Sequence, residues 1–248
     1  CTMFRKLLCF FILSLFLSLT ITNLTVADLI ASYDFEDDFK DSSGNNLHGK
    51  PHGDAAIVDV DGIGLSPENF RKSKVLTLHG KDGYVNLGND KRFNWNGAFS
   101  ACFWMKVTLW EVGWQTVLKK DNTWSFERNI DQQALAFYHW PNFVPTVSKI
   151  DNKWHHIAAT YDKKEQKLYK DGKLVASKPN TGEMNVNANP VIIGASGGKS
   201  RYFNGRIDDV RIYNNALSED EVRENMEVRT AVNPQHKLAF TWGRMKVL

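Results

Sequence analysis

Two adjacent acids, Asp208 and Asp209, stand inside the otherwise apolar run Phe203-Asn-Gly-Arg-Ile-Asp-Asp-Val-Arg-Ile-Tyr213. In a buried strand such acids are costly unless a cation, an arginine or a row of backbone amides meets them. Arg206 and Arg211 are the arginines at hand. A second pair, His155-His156, also has the residue types of a metal or catalytic site. Neighbouring strand residues point to opposite faces, so these two cannot chelate one ion together and read instead as packed, hydrogen-bonded histidines. Glu219-Asp220-Glu221 is contiguous and opens a helix, where acids meet the positive end of the dipole. Glu111 and Glu127 stand alone, and Cys102 in Ala-Cys-Phe-Trp reads as a small core residue. Glycoside hydrolysis calls for two carboxylates held roughly 5 to 10 Å apart. The chain has no Glu-x-Asp-x-x-Glu strand, Gly-x-Ser-x-Gly elbow, His-Glu-x-x-His helix or phosphate loop. No catalytic residue is expected, and the chain reads as a non-enzyme.

The middle third carries an aromatic belt: Trp110, Trp114, Trp124, Tyr138, Trp140 and Phe143. Sugar rings stack their C–H faces on flat aromatics, while amides and acids bond their hydroxyls. Asn122, Asn129, Asp131 and Gln133 are placed for that role. A sandwich core also consumes tryptophan and tyrosine, so each ring is equally a candidate core residue. Trp110-Glu-Val-Gly-Trp114 sits at an expected loop and gives the best exposed rings. The expected ligand-binding set is Trp110, Trp114, Trp124, Tyr138 and Trp140.

The elements that must position these residues are strands. Period-two alternation marks 29–35, 75–78, 84–87, 99–107, 116–118, 134–139, 154–161, 167–170, 174–177, 191–193 and 207–213. Gly/Asp/Asn turns separate them, and Asp171-Gly172 between two alternating runs is the strongest hairpin signal. Only 218–226 reads as helix, opened by Ser218 with Glu221 three residues on, the spacing of a capping box. Many short strands with such turns indicate an all-β, two-sheet antiparallel jelly-roll sandwich with one short C-terminal helix.

The first residues read as an address. Arg5 and Lys6 precede the apolar run 7–19, and Thr25-Val26-Ala27 is a small-x-small cleavage pattern, so 1–27 is expected to be a signal peptide. About a dozen apolar residues are too few for a membrane span, which needs roughly twenty. The formal charge of +3 falls to about +1 without the leader, which argues against a nucleic-acid or anionic-membrane partner. Of three cysteines, only Cys102 lies beyond the leader, so no intramolecular disulfide is expected. The domain is expected over 28–228, with 229–248 as a tail or an extra edge strand.

Three segments, in order, resemble a known family. They are Tyr33-Asp-Phe-Glu36 with Asp41-Ser-Ser-Gly-Asn-Asn-Leu-His-Gly49, then Trp154-His-His-Ile-Ala158 through Leu168-Tyr-x-Asp-Gly172, then Phe203-x-Gly-x-Ile-Asp-Asp-Val-Arg-Ile-Tyr213 with Ala216-Leu-Ser218. Together they resemble the LamG-like jelly-roll (concanavalin A-like lectin/glucanase) domain over most of the chain. The resemblance implies neighbouring first and late strands, a structural calcium (Ca2+), and a surface that binds glycan or an extracellular protein. Carried over by position, Glu36, Asp41 and Asp208 are the expected calcium ligands, with carbonyls of 45–48 completing an oxygen cage. The functional expectation is an exported, non-catalytic carbohydrate-binding module. A structural or adhesive protein-binding module is the alternative, and a glycoside hydrolase a distant third.

Overall fold

A computed structural model describes residues 29–64, 71–130, 132–140 and 146–227. The expected leader and tail, together with Asp131 and Phe143, lie outside them. The strands in chain order are β1 (Leu29–Tyr33), β2 (Lys50–His52), β3 (Ala56–Ile63), β4 (Arg71–His79), β5 (Tyr84–Gly88), β6 (Phe99–Val107), β7 (Thr116–Lys120) and β8 (Trp124–Arg128). They continue as β9 (Ala134–His139), β10 (Thr146–Lys149), β11 (Trp154–Tyr161), β12 (Glu165–Lys170), β13 (Lys173–Pro179), β14 (Val191–Ile193) and β15 (Asn204–Tyr213), followed by helix α1 (Glu219–Glu227).

Two antiparallel sheets form the expected jelly-roll sandwich. One runs β13-β12-β11-β6-β15-β4-β3 with β1 added beside β15, and the other runs β10-β9-β8-β7-β14-β5-β2. Their inner faces interdigitate around Phe99, Phe103 and Met105 of β6, Ile157 and Tyr161 of β11, and Trp124, Phe126 and Phe137 of the second sheet. Aromatic rings lock this layer: Phe99 lies 4.7 Å from Trp124, and Phe103 lies 5.0 Å from Phe126. The strands at 99–107, 134–139, 154–161 and 191–193 match the sequence pattern residue for residue, whereas β2, β3, β8 and β10 were not expected.

Local chemistry explains the turns. Asp171 and Gly172 both take positive φ, +54° and +72°, as a tight two-residue hairpin demands. Ser218 and Glu221 form the reciprocal capping box, Glu221 accepting from Ser218 N at 2.7 Å while Ser218 Oγ accepts from Glu221 N at 3.3 Å. The helix then lays Val222 on Cys102, Ala158, Tyr169 and Tyr213, covering part of the outer face of the larger sheet. Burial there pushes the Cys102 thiol up to about 12, so it is an inert core group.

The strand β15 carries the paired acids and changes partner midway. Residues Asn204 to Ile207 pair with β4, and Val210 to Tyr213 pair with β1. At the handover a bulge interrupts pairing with β6 between Asp208 and Arg211, and Asp209 sits at φ +49°. The extra residue keeps both acids inside: Asp208 is 0% and Asp209 4% exposed. Asp209 therefore does not meet solvent; its Oδ1 lies 3.5 Å from Nη2 of Arg211, itself buried.

One core group has no such partner. His139 at the end of β9 is fully buried, stands edge-on to Tyr161 at 4.0 Å, and neither ring nitrogen is hydrogen-bonded among the described residues. Burial lowers its pKa to about 4, so the folded chain keeps it neutral while the unfolded chain protonates near 6.5. Below that pH the unfolded state binds the extra proton, and stability falls as pH drops from about 6.5 to 4. The loss is on the order of 2–3 kcal/mol. Thermal melts from pH 7 to pH 4 should show this decline, and His139→Phe should flatten it; an equal decline in both proteins would remove His139 as its source.

Candidate functional site

Strands β8 and β9 alternate across the smaller sheet, and β7 joins them through a bulge between Thr116 and Leu118. Trp124, Phe126, Leu135 and Phe137 point into the core, which turns Ser125, Glu127, Ala136 and Tyr138 to the outer face. The ladder places Lys119 opposite Ser125 and Ser125 opposite Tyr138, a transverse row over three strands. Small side chains at Ser125 and Ala136, between the long ones, make a low-lying patch on this face that the surrounding side chains cover. Its floor is outward-facing yet shielded: Ser125 is 0%, Tyr138 1%, Glu127 2% and Lys119 7% exposed. The hydroxyl of Ser125 has no hydrogen-bond partner among the described residues.

Three partly exposed residues rim the patch. The Trp114 ring lies 5.4 Å from Tyr138, and Tyr138 lies 6.5 Å from Trp140. The Tyr138 hydroxyl donates to Asn129 Oδ1 at 3.1 Å. Burial and the nearby Glu127 charge push that phenol up to about 12, so it works as a neutral hydrogen-bonding group. Arg201 is the third rim residue, its guanidinium 6.0 Å from the Trp114 ring. Trp114 and Arg201 both occupy left-handed backbone, φ +64° and +56°. For residues with a Cβ that costs roughly 1–3 kcal/mol each, and such strain is concentrated at sites that hold something.

A charge network ties floor to rim. The Lys119 ammonium lies 2.8 Å from Glu127 Oε1 and 2.9 Å from Asp121 Oδ1, donates to Ser196 Oγ at 3.3 Å, and sits 5.8 Å from the Trp140 ring. Glu127 Oε2 faces Arg201 Nη1 at 3.5 Å. Behind it, buried Lys120 holds the 187–189 loop through the carbonyls of Asn187 and Asn189 and the Asn89 amide oxygen. Burial lowers the Lys120 pKa to about 8.

Of the five rings expected to bind ligand, the structure brings together Trp114, Tyr138 and Trp140, with Tyr138 itself buried between the two partly exposed tryptophans. It corrects the other two. Trp124 is a core residue, 1% exposed, because it belongs to β8 with its side chain inward. Trp110 packs against the core beside Phe203 at 5.9 Å. Among the amides, Asn129 reaches Tyr138, whereas Asn122 and Gln133 are exposed at turns. Sequence reasoning missed Lys119, Glu127 and Arg201. The Trp-Ser-Phe-Glu alternation at 124–127 was the available signal for Glu127; Arg201 sits in a loop and had none.

The expected metal ligands divide. Glu36 follows β1 and approaches Asp208 as anticipated, both reaching Ser73 Oγ, at 2.9 Å and 3.3 Å; the Lys74 carbonyl lies 3.0 Å from the same hydroxyl. One hydroxyl proton cannot serve three acceptors, so this oxygen-rich cluster has the composition a hard cation prefers. Asp41 does not join it. Its oxygens accept from Ser32 N, Ser43 N, Ser43 Oγ and Leu47 N at 2.9 to 3.0 Å. Burial would raise its pKa, but those bonds outweigh burial and lower it. Asp41 therefore braces the 41–47 loop. Among the described residues no three His, Cys, Asp or Glu side chains gather to hold a metal.

The two histidines diverge as alternation requires. His155 lies between Asp171 at 2.8 Å and Asp151 at 2.9 Å. Burial alone would lower its pKa, but the two carboxylates outweigh it and raise it. His156 stands edge-on to Trp104 at 5.5 Å.

With this geometry in view, the comparisons with known proteins are informative. The Laminin_G_3 profile, described as the concanavalin A-like lectin/glucanases superfamily, matches residues 79–223. The chain belongs to that family. No curated protein matches the chain. Among solved structures it is similar to domain 4 of AbnA, a GH43 extracellular arabinanase from Geobacillus stearothermophilus, in complex with arabinotriose. That likeness has TM-score 0.60 and 24% identity, covering 81% of this chain and 98% of that one. The binding domain of Paraclostridial Mosquitocidal Protein 1 has TM-score 0.64 and 22% identity, covering 80% and 52%. The binding domain of Botulinum Neurotoxin DC, in complex with SialylT, has TM-score 0.59 and 17% identity, covering 80% and 51%. The chain thus spans about half the length of the toxin binding domains it matches. At these identities the likeness is one of fold. No described helix is long and apolar enough to cross a membrane.

The charge network makes a stability prediction. Removing one member of a buried pair leaves its partner's charge buried, at a cost of about 3–5 kcal/mol. Lys119→Met should lose a sizeable part of that, with Arg201 offsetting some of it. Adding Glu127→Gln to the same protein should restore stability. Urea titration of the three proteins checks this; a double variant no more stable than Lys119→Met would mean that the pair is not what holds these strands.

Proposed function

We propose that this chain is an exported, non-catalytic binding module that holds carbohydrate on the outer face of the β7–β9 sheet. The observation that carries the reading is that Trp114, Trp140 and Arg201 stand partly exposed around a buried layer of Tyr138, Ser125, Glu127 and Lys119. Sugars need both surfaces at once: aromatic faces for their C–H sides, and fixed donors and acceptors for their hydroxyls. The matched structures, one holding arabinotriose and one SialylT, support a glycan as the class of ligand. Export is supported by the leader pattern at 1–27.

Glycan-array screening followed by calorimetry tests the reading. Trp114→Ala and Trp140→Ala should each weaken binding about tenfold, since a stacked ring contributes roughly 1–1.5 kcal/mol. Trp110→Ala should leave affinity near that of the parent, because Trp110 packs on the core. Failure to bind any glycan at millimolar concentration would return the chain to the protein-binding alternative.

A structural calcium belongs to the same proposal, held by Glu36, Asp208, the Ser73 hydroxyl and the Lys74 carbonyl. It would clamp β1 and β4 onto β15. A ligand bound only by the native state raises the melting temperature. Chelation should therefore lower it in the parent protein and not in Asp208→Asn. Metal analysis finding no calcium, with an unchanged melt, would assign the cluster to hydrogen bonding alone.

A further inference from the structure

The accessible charge of the patch differs from its buried charge. Lys119 lies between Glu127 and Asp121, donates to Ser196, and has a side chain only 8% exposed. Glu127 is more deeply enclosed, at 2%. Arg201 is the exception, with a side chain 42% exposed and, among the described residues, one ion pair, to Glu127 at 3.5 Å. That separation exceeds the 2.7–2.9 Å usual for charge-assisted bonds, so this pair does not use up the five donors of the guanidinium. The Trp114 ring lies beside the guanidinium and limits where it can swing. Both residues hold left-handed backbone conformations, Trp114 in the 109–115 loop and Arg201 in the 194–203 loop. The Arg201 carbonyl is fixed by Thr116 N at 2.9 Å, which anchors the second loop to the start of β7. An arginine presented this way is a preformed fork, whose planar donors match a carboxylate in two parallel hydrogen bonds.

We propose that the patch selects glycans bearing a carboxylated sugar, its carboxylate taken by Arg201 beside the Trp114 ring. The inference rests on the carbohydrate reading above and names the class within it. Neutral sugar units stack on Trp140, and the acidic unit sits at the Trp114 end. Arg201 is then the specificity-determining residue. A sialic and a uronic acid present the same carboxylate chemistry, and the two are separated by experiment.

Matched pairs that differ only in the charged group decide it: 3′-sialyllactose against lactose, and trigalacturonate against its methyl ester. Calorimetry on the full chain should show at least one acid bound ten times or more tighter than its neutral partner. The preferred pair identifies the source of the carboxylate. Arg201→Gln should abolish the preference, and Arg201→Lys, which keeps the charge but loses the fork, should restore only part of it. Circular dichroism melts confirm that both variants are folded. If wild type binds the members of each pair equally well, or if Arg201→Gln lowers charged and neutral members alike, the carboxylate assignment is overturned while the patch stands. If no member of either pair binds and the array is also blank, the carbohydrate reading falls and takes this one with it.

Discussion

Glu127 is the group around which the outer face of the smaller sheet is organised. A carboxylate 2% exposed on a strand must be met by cations and donors, or its desolvation would unfold the strand. Lys119 meets one oxygen across the β7–β8 pair, and Arg201 reaches the other from a distant loop. Satisfying this one charge thus draws the 194–203 loop over the sheet. Arg201 then stands beside Trp114, and Lys119 beside Trp140. The rim of the patch follows from the electrostatics of its floor.

The larger sheet solves the same problem differently. Asp208 and Asp209 are brought inside by a bulge, where β15 exchanges β4 for β1 as its neighbour. Arg211 answers Asp209, and the Ser73 hydroxyl stands between Asp208 and Glu36. Two strands, β4 and β15, and the chain following β1 therefore converge on one polar cluster, which fixes the register of β1 against β15. A one-residue slip would turn Ala31 and Tyr33 out of the core.

The sequence pattern made the fold legible because each inward face is coded by alternation, and alternation survives without knowledge of partners. β6, β9, β11 and β14 were readable to the residue for that reason. Legibility failed where a strand is short or its pattern mixes classes. Trp124-Ser-Phe-Glu-Arg128 does alternate, but over only five residues, too short a run to stand out among the neighbouring rings. Missing that strand sent Trp124 to the surface and left Glu127 isolated. The error at Asp41 has another origin: an acid in a turn can ligate a metal or cap backbone amides, and only the positions of Ser32, Ser43 and Leu47 choose between them. Arg201 was illegible because its meaning depends on a strand far away in the chain.

The faces of the sandwich differ in what covers them. The inner faces form the core. On the outer face of the larger sheet, Cys102, Ala158, Tyr169 and Tyr213 lie beneath Leu217 and the α1 residue Val222, and Trp104 and Trp154 pack with Val60, Ile63 and Val75. Apolar residues there ask to be covered, and the helix and the β3–β4 pair do so. On the smaller sheet the outer positions are Lys119, Ser125, Glu127 and Tyr138, groups that gain from hydrogen-bonding partners rather than from a helix. The two outer faces thus differ in composition: one is apolar and partly closed by the helix, and the other is polar, its buried carboxylate met by Lys119 and Arg201.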